Sequence, residues 1–261
     1  MRIKTRQTQI YLNLCRLLPT ALFISLTLGV VAQKSTKPQF YASAGFLAGN
    51  VSTRDGYFSA IPFTGPAYGA VATVGMSQRR SSHEISFRFI SSHTEAETME
   101  GQTMDQFYFK GSYTFLYLVT DPAKSFKFSA GAGADFQDAN RAYNKFINNH
   151  LSYEFIASAN IAALVSYDIQ KGPNKLIISD QVHIPFLSAL KQPLLGGTDG
   201  QWQTGSWALV QYVSNELKIE KGFGGHHQVG LGYLLNYYAF QTDREVTEVQ
   251  QLIEVKYAYH F

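Results

Sequence analysis

Apolar and polar residues alternate with a period of two along most of the chain from Phe40 onward, and no stretch repeats convincingly with helical spacing. The clearest run is Leu151 to Ile169. Leu151, Tyr153, Phe155, Ile161, Val165 and Tyr167 share one face, and Ser152, Glu154, Ser158, Asn160, Ser166 and Asp168 share the other. Strands of ordinary globular sheets run about 5–6 residues. A run this long suits a tilted strand that crosses a bilayer and projects beyond it. Nine further segments carry the pattern, near 40–50, 67–77, 84–91, 105–118, 125–137, 174–184, 206–218, 226–240 and 246–261. In 125–137, Phe126, Phe128, Ala130 and Phe136 oppose Lys127, Ser129, Gly131 and Asp135. Segment 206–218 is ambiguous, because both of its faces carry apolar residues.

The connections point the same way. Longer gaps fall at 51–66, 92–104, 138–150 and 185–205, and tight ones at 77–83, 120–124, 170–173 and 220–225. Long and short therefore alternate, as they do in barrels with extracellular loops and periplasmic turns. Only the ninth connection, around 241–244, is shorter than this rule requires. A soluble β-sandwich has no reason to alternate so. The pattern predicts an all-β, up-and-down antiparallel transmembrane β-barrel of about ten strands, with eight or twelve open at this stage. An even count returns the last strand to the side on which the first begins.

That last strand places Ile253, Val255, Tyr257, Tyr259 and Phe261 on one face and Glu254, Lys256, Ala258 and His260 on the other. It resembles the C-terminal signature of the outer-membrane β-barrels of Gram-negative bacteria, over about nine residues and without singling out a subfamily. The resemblance implies residence in the outer membrane, a lipid surround, and reading of Tyr257, Tyr259 and Phe261 by the barrel-insertion machinery.

The N-terminus reads as a targeting segment. Arg2, Lys4, Arg6 and Arg16 precede an apolar run of 16 residues from Leu17 to Ala32, with small residues Val30 and Ala32 before a cut ahead of Gln33. The run carries Pro19 and falls short of the ~20 residues of a membrane-spanning helix. Residues 1–32 are therefore expected to be a cleaved signal peptide and 33–261 the barrel domain. Cys15 lies before the apolar run, where it does not suit a lipoprotein anchor. The leader takes four of the 22 basic residues and none of the 19 acidic ones, leaving 18 against 19. The pI of 8.8 is thus largely the leader's and gives no reason to expect nucleic acid as a partner. The sole cysteine leaves with it, which excludes disulfide and thiol chemistry from the remainder. The 16 Tyr, 19 Phe and 21 Gly lie almost wholly outside the leader and favour β-structure.

With the apolar face outward, the lumen receives Glu84, Arg88, Lys110, Asp135, Glu154, Asp168, His226, Glu254, Lys256 and His260, with Asp180 on a less certain face. Arg88, Lys110, Asp135, Glu154 and Lys256 are the candidates for binding a solute. In a barrel this narrow they are also expected to pair across the lumen and neutralise one another. Gly45, Gly49, Gly69, Gly75, Gly131, Gly133, Gly230 and Gly232 point inward too, either making room for long neighbours or lining a small passage. Asp135, Ser152, Glu154 and His183 lie on three successive strands and supply the acid, hydroxyl and imidazole of acyl transfer to or from lipid. Small outer-membrane barrels include such enzymes, although their local signatures are not found in this sequence.

Other apparent motifs fail on geometry. Ser81-Ser82-His83 and Ser91-Ser92-His93 lie about 33 Å apart along one strand. His226 and His227 point to opposite faces, so no shared metal is expected. No cofactor is called for. The segments Pro185–Gly205 and Asp138–His150 are expected to be exposed loops able to plug the lumen or present a ligand surface. The favoured reading is a non-enzymatic outer-membrane barrel, either a narrow solute passage or a structural and surface-interaction barrel. The alternatives are a lipid-modifying hydrolase or acyltransferase and a soluble secreted or periplasmic β-protein.

Overall fold

The computed structural model describes residues 37–56, 61–144, 151–170, 172, 174–192, 202–207, 210–240 and 245–261. The leader segment 1–32 and the connection 241–244 fall outside them. Period-2 sequence becomes strand throughout: β1 Gln39–Asp55, β2 Phe63–Ser77, β3 Ser81–Ala96, β4 Thr103–Leu118, β5 Phe126–Tyr143, β6 Leu151–Gln170, β7 Leu176–Lys191, β8 Trp202–Gly205, β9 Val210–Phe223, β10 His227–Phe240 and β11 Val246–His260. All pairings are antiparallel, and neighbours are sequential except where β7 pairs with β9 and where β1 meets β11. The sheet closes where β1 meets β11, from Tyr41 opposite His260 to Asp55 opposite Val246. The short β8 pairs with the far end of β7 and β9 with its near part, so β8 and β9 together make one stave. The barrel has ten staves.

Register fixes the shape. Following Cα partners from Gln39 through Ser77, Ser82, Leu116, Gly131, Ala162, His183, Ser214, Asn236 and Gln250 returns to β1 at Val51, twelve residues beyond Gln39. At ~3.3 Å per residue and ~4.8 Å between strands, that offset tilts the strands by about 40° and gives a backbone cylinder about 20 Å across. The start of β1, the end of β11, the ends of β6 and β7 that face each other, and the turns at 78–80, 119–125 and 224–226 lie at one end, here called the near end.

The outer surface is apolar. Phe46, Phe89, Ile161, Leu231, Ile253 and Val255 all face outward and exposed. Rings of Phe87, Phe109, Phe136, Phe155 and Trp202 form a row across β3, β4, β5, β6 and β8, with neighbouring centroids 5.3–6.4 Å apart. Phe223, His227, Tyr257, Tyr259 and Phe261 cluster at the near end. An apolar band flanked by aromatic rings is the surface of a barrel whose solvent is lipid.

Three expectations need correction. First, the strands run several residues further than the alternation suggests, so less sequence is left to the far-end connections than expected. Asp138 to Tyr143 belongs to β5, and β7 continues through Pro185 to Lys191. Of the expected loops, 145–150 and 193–201 fall outside the described residues. Second, Asp180 faces outward, exposed and hydrogen-bonded by Asn215 at 2.6 Å, because His183, Gln181 and Ser179 take the inward positions of β7. Third, His226 sits in the near-end turn, stacked on Tyr259, rather than in the lumen. Strict apolar-out alternation also fails inside, where Leu47, Val51, Val71, Ile90, Leu234 and Leu252 pack as a buried apolar cluster. A lumen ~20 Å across at the backbone is filled by its own side chains, and those filling its middle need not be polar.

Candidate functional site in the barrel interior

Two sets of charged side chains reach across the interior. Toward the far end, Arg141 of β5 sits fully buried between two carboxylates, 2.8 Å from Glu154 of β6 and 3.1 Å from Glu248 of β11. β5 and β11 stand five staves apart in a ring of ten, so this contact spans the lumen. Arg141 also donates to the Tyr238 hydroxyl at 2.7 Å. Glu248 is held in turn by Thr53 at 2.9 Å, by Gln250 at 2.6 Å and by the Tyr108 hydroxyl. Each buried charge therefore has several partners, which is the condition under which such a cluster is tolerated.

Nearer the middle, Arg88 of β3 meets Glu216 of β9 at 2.9 Å, again from opposite walls. Lys218 joins Glu216 at 3.1 Å, and Lys256 contacts Glu220 at 3.2 Å. Toward the near end, Tyr41 donates to Glu84 at 2.6 Å and Lys127 meets Asp168 at 2.5 Å. A separate pocket of charge lies on the β4–β5 wall, where Lys110 approaches Asp135 at 3.4 Å and the Tyr212 hydroxyl from across the barrel.

The five candidate binding residues are thus all inward but do not form one site. Arg88, Lys110 and Lys256 each have an acidic neighbour of their own, and Glu154 is bound to Arg141. Nor are the four candidate catalytic residues assembled. His183 lies opposite Ala162 of β6, ten residues from Ser152 and about 33 Å along that strand. Its Nε2 contacts Gln181 at 2.6 Å. Ser152 and Glu154 flank Arg141 instead. Among the described residues, no group of three or more His, Cys, Asp or Glu could hold a metal ion.

Arg141, Glu216, Lys218, Glu220 and Glu248 escaped the sequence reading. Arg141 lies in an expected loop, Glu216 and Lys218 in the segment whose faces are ambiguous, and Glu220 in an expected turn. Extending the odd-numbered inward face of β5 by six residues would have found Arg141.

No family model matches the chain, and no curated protein matches it in sequence. Its structure is similar to the outer-membrane protease OmpT from Escherichia coli, with a TM-score of 0.51 at 7% identity over 88% of this chain and 99% of that one. The chain has the outer-membrane β-barrel fold. The translocator domain of the autotransporter NalP from Neisseria meningitidis is a more distant match, with a TM-score of 0.39 at 10% identity over 95% of this chain and 97% of that one. At such identities the likeness concerns the barrel's architecture alone. Its interior chemistry is this sequence's own.

Proposed function

We propose that the protein is an integral outer-membrane barrel with a closed lumen, non-enzymatic, serving as a rigid platform rather than as a passage. The observation that carries this reading is the pair of cross-lumen contacts, Arg88 to Glu216 and Arg141 to Glu154 and Glu248, with apolar side chains packed between their levels. An ion moving along the axis would have to break both. Each rupture strands charge in a low-dielectric interior, at a cost of several kcal/mol. The near end then faces the periplasm and the far end the medium. Export through residues 1–32 and insertion through the aromatic face of β11, Tyr257, Tyr259 and Phe261, complete the proposal. The acyl-transfer alternative draws no support from the placement of Ser152 and His183.

The test is reconstitution into planar bilayers. A closed lumen predicts no steady unitary conductance from protein that shows heat-dependent gel mobility. Stable steps from the wild-type chain would favour the narrow-passage alternative.

A further inference from the structure

Among the described residues the β7–β9 seam lacks its ladder over four residues, the longest such gap, against two at Gly65 and Pro66 between β2 and β3. β7 and β9 pair from Leu176 opposite Lys221 to His183 opposite Ser214, and pairing resumes only at Ser188 opposite Gly205 of β8. Between these points residues 184–187 and 210–213 are described but unpaired to each other. On its other side β7 is irregular too: Asn160 pairs with Pro185 and Ala159 with Leu187, so Phe186 is bulged. Pro185 has no N–H to offer. Ile184 lies eight residues into β7, about 20 Å up a band ~25 Å tall at a tilt near 40°. The unpaired stretch therefore lies in the half of the membrane band toward the far end, where strand edges left unsatisfied against lipid are costly and are not normally found.

Inside the barrel beside the seam is a cavity lined by Val210 and Tyr212 from the β9 edge and by Lys110, Asp135, Gln137 and Ser158 from the adjoining β4–β6 wall, with room for about one water-sized group. Beyond the 3.4 Å ion pair of Asp135 Oδ2 with Lys110, neither Asp135 oxygen makes a hydrogen bond, and the Nε2 of Gln137 is buried there without one. Unsatisfied polar groups of this kind ask for a partner. We propose that the β7–β9 seam admits a neutral amphiphile from the outer leaflet, whose hydroxyl head donates to Asp135 and accepts from Gln137 while its chain lies between the strand edges. One hydroxyl meets both requirements. A carboxylate would face Asp135, and an ammonium would face Lys110. The inference rests on the proposed membrane setting and orientation of the barrel but not on its lumen being closed to ions.

The chain's two tryptophans, Trp202 of β8 opposite Lys191 of β7 and Trp207 between β8 and β9, are partly exposed and supply the readout. Folded protein in detergent is titrated with bromo-undecanol, bromo-undecanoate and bromo-undecylamine, and quenching of tryptophan fluorescence is followed. The alcohol is expected to quench with saturation, and the other two only in proportion to their partition into the micelle. Gln137→Leu should weaken the saturable component roughly tenfold. A second variant keeps folding out of the question. In a Cys15→Ser background, Ile184→Cys with Val213→Cys is expected to lose saturable quenching when oxidised and regain it on reduction. Identical curves for the three head groups, or equal binding by the oxidised and reduced staple, overturn the proposal and leave the cavity to water.

Discussion

At the scale of single residues, the interior rests on a few side chains whose partners are already spoken for. Arg141 is the most committed, fully buried between Glu154 and Glu248. Arg141→Leu leaves two carboxylates buried and uncompensated, and is expected to cost about 3–5 kcal/mol in a urea unfolding titration in micelles. Combining it with Glu154→Gln and Glu248→Gln should recover most of that loss, since the penalty comes from stranded charge rather than from a missing attraction. If the triple variant is as unstable as Arg141→Leu, packing around the guanidinium matters more than charge. The glycines also divide. A Cβ on Gly131 would lie 1.8 Å from the carbonyl oxygen of Phe115, whereas on Gly232 the nearest atom is the Glu254 Cβ at 3.4 Å. Gly131→Ala should force β4 and β5 apart at a cost of about 1–3 kcal/mol, and Gly232→Ala should be nearly neutral by the same titration. Close backbone approach, not water-filled space, accounts for the first glycine.

At the scale of elements, alternation made the strands legible and left their ends and irregularities unread. β6 could be placed from sequence almost to the residue, because its apolar face is unbroken from Leu151 to Ile169. β9 could not, because Val213 and Leu217 face lipid while Val210 and Tyr212 are buried inside, so its two faces look alike to a hydrophobicity pattern. β7 appeared to end before Pro185, since proline commonly ends a strand. In the folded chain it sits beside a bulge at Phe186, and the strand continues with its inward face shifted from odd to even positions, His183 giving way to Ser188 and Leu190. A bulge absorbs one residue, so deleting Phe186 should leave the facing of both halves of β7 unchanged and yield a folded, heat-modifiable barrel. Deleting Ala132 from the regular ladder of β5 should not, because one residue there moves half a strand's side chains to the opposite face. Equal yields from the two deletions would mean that the β6–β7 register is not fixed by the bulge.

At the scale of the whole molecule, closure and tilt followed from many weak, mutually consistent local preferences, which is why the fold class was readable while the interior was not. Lumen contacts join residues such as Arg88 and Glu216, 128 positions apart. Which inward charge meets which depends on the twelve-residue offset around the ring, a property no single strand displays. The two cross-lumen levels therefore act in series, and this makes them separable by experiment. Arg88→Ala alone leaves the Arg141 contacts intact, and Arg141→Ala alone leaves Arg88 on Glu216, so each single variant should stay silent in planar bilayers. Removing both withdraws the arginine at each level and leaves Glu154, Glu248 and the Glu216–Lys218 pair exposed to whatever water enters. The double variant is expected to give cation-selective steps, because the remaining lumen charge is then acidic. Silence from the folded double variant would place the seal in the apolar cluster of Leu47, Val51, Ile90 and Leu252, and Leu252→Ser added to it would be the change that opens the barrel.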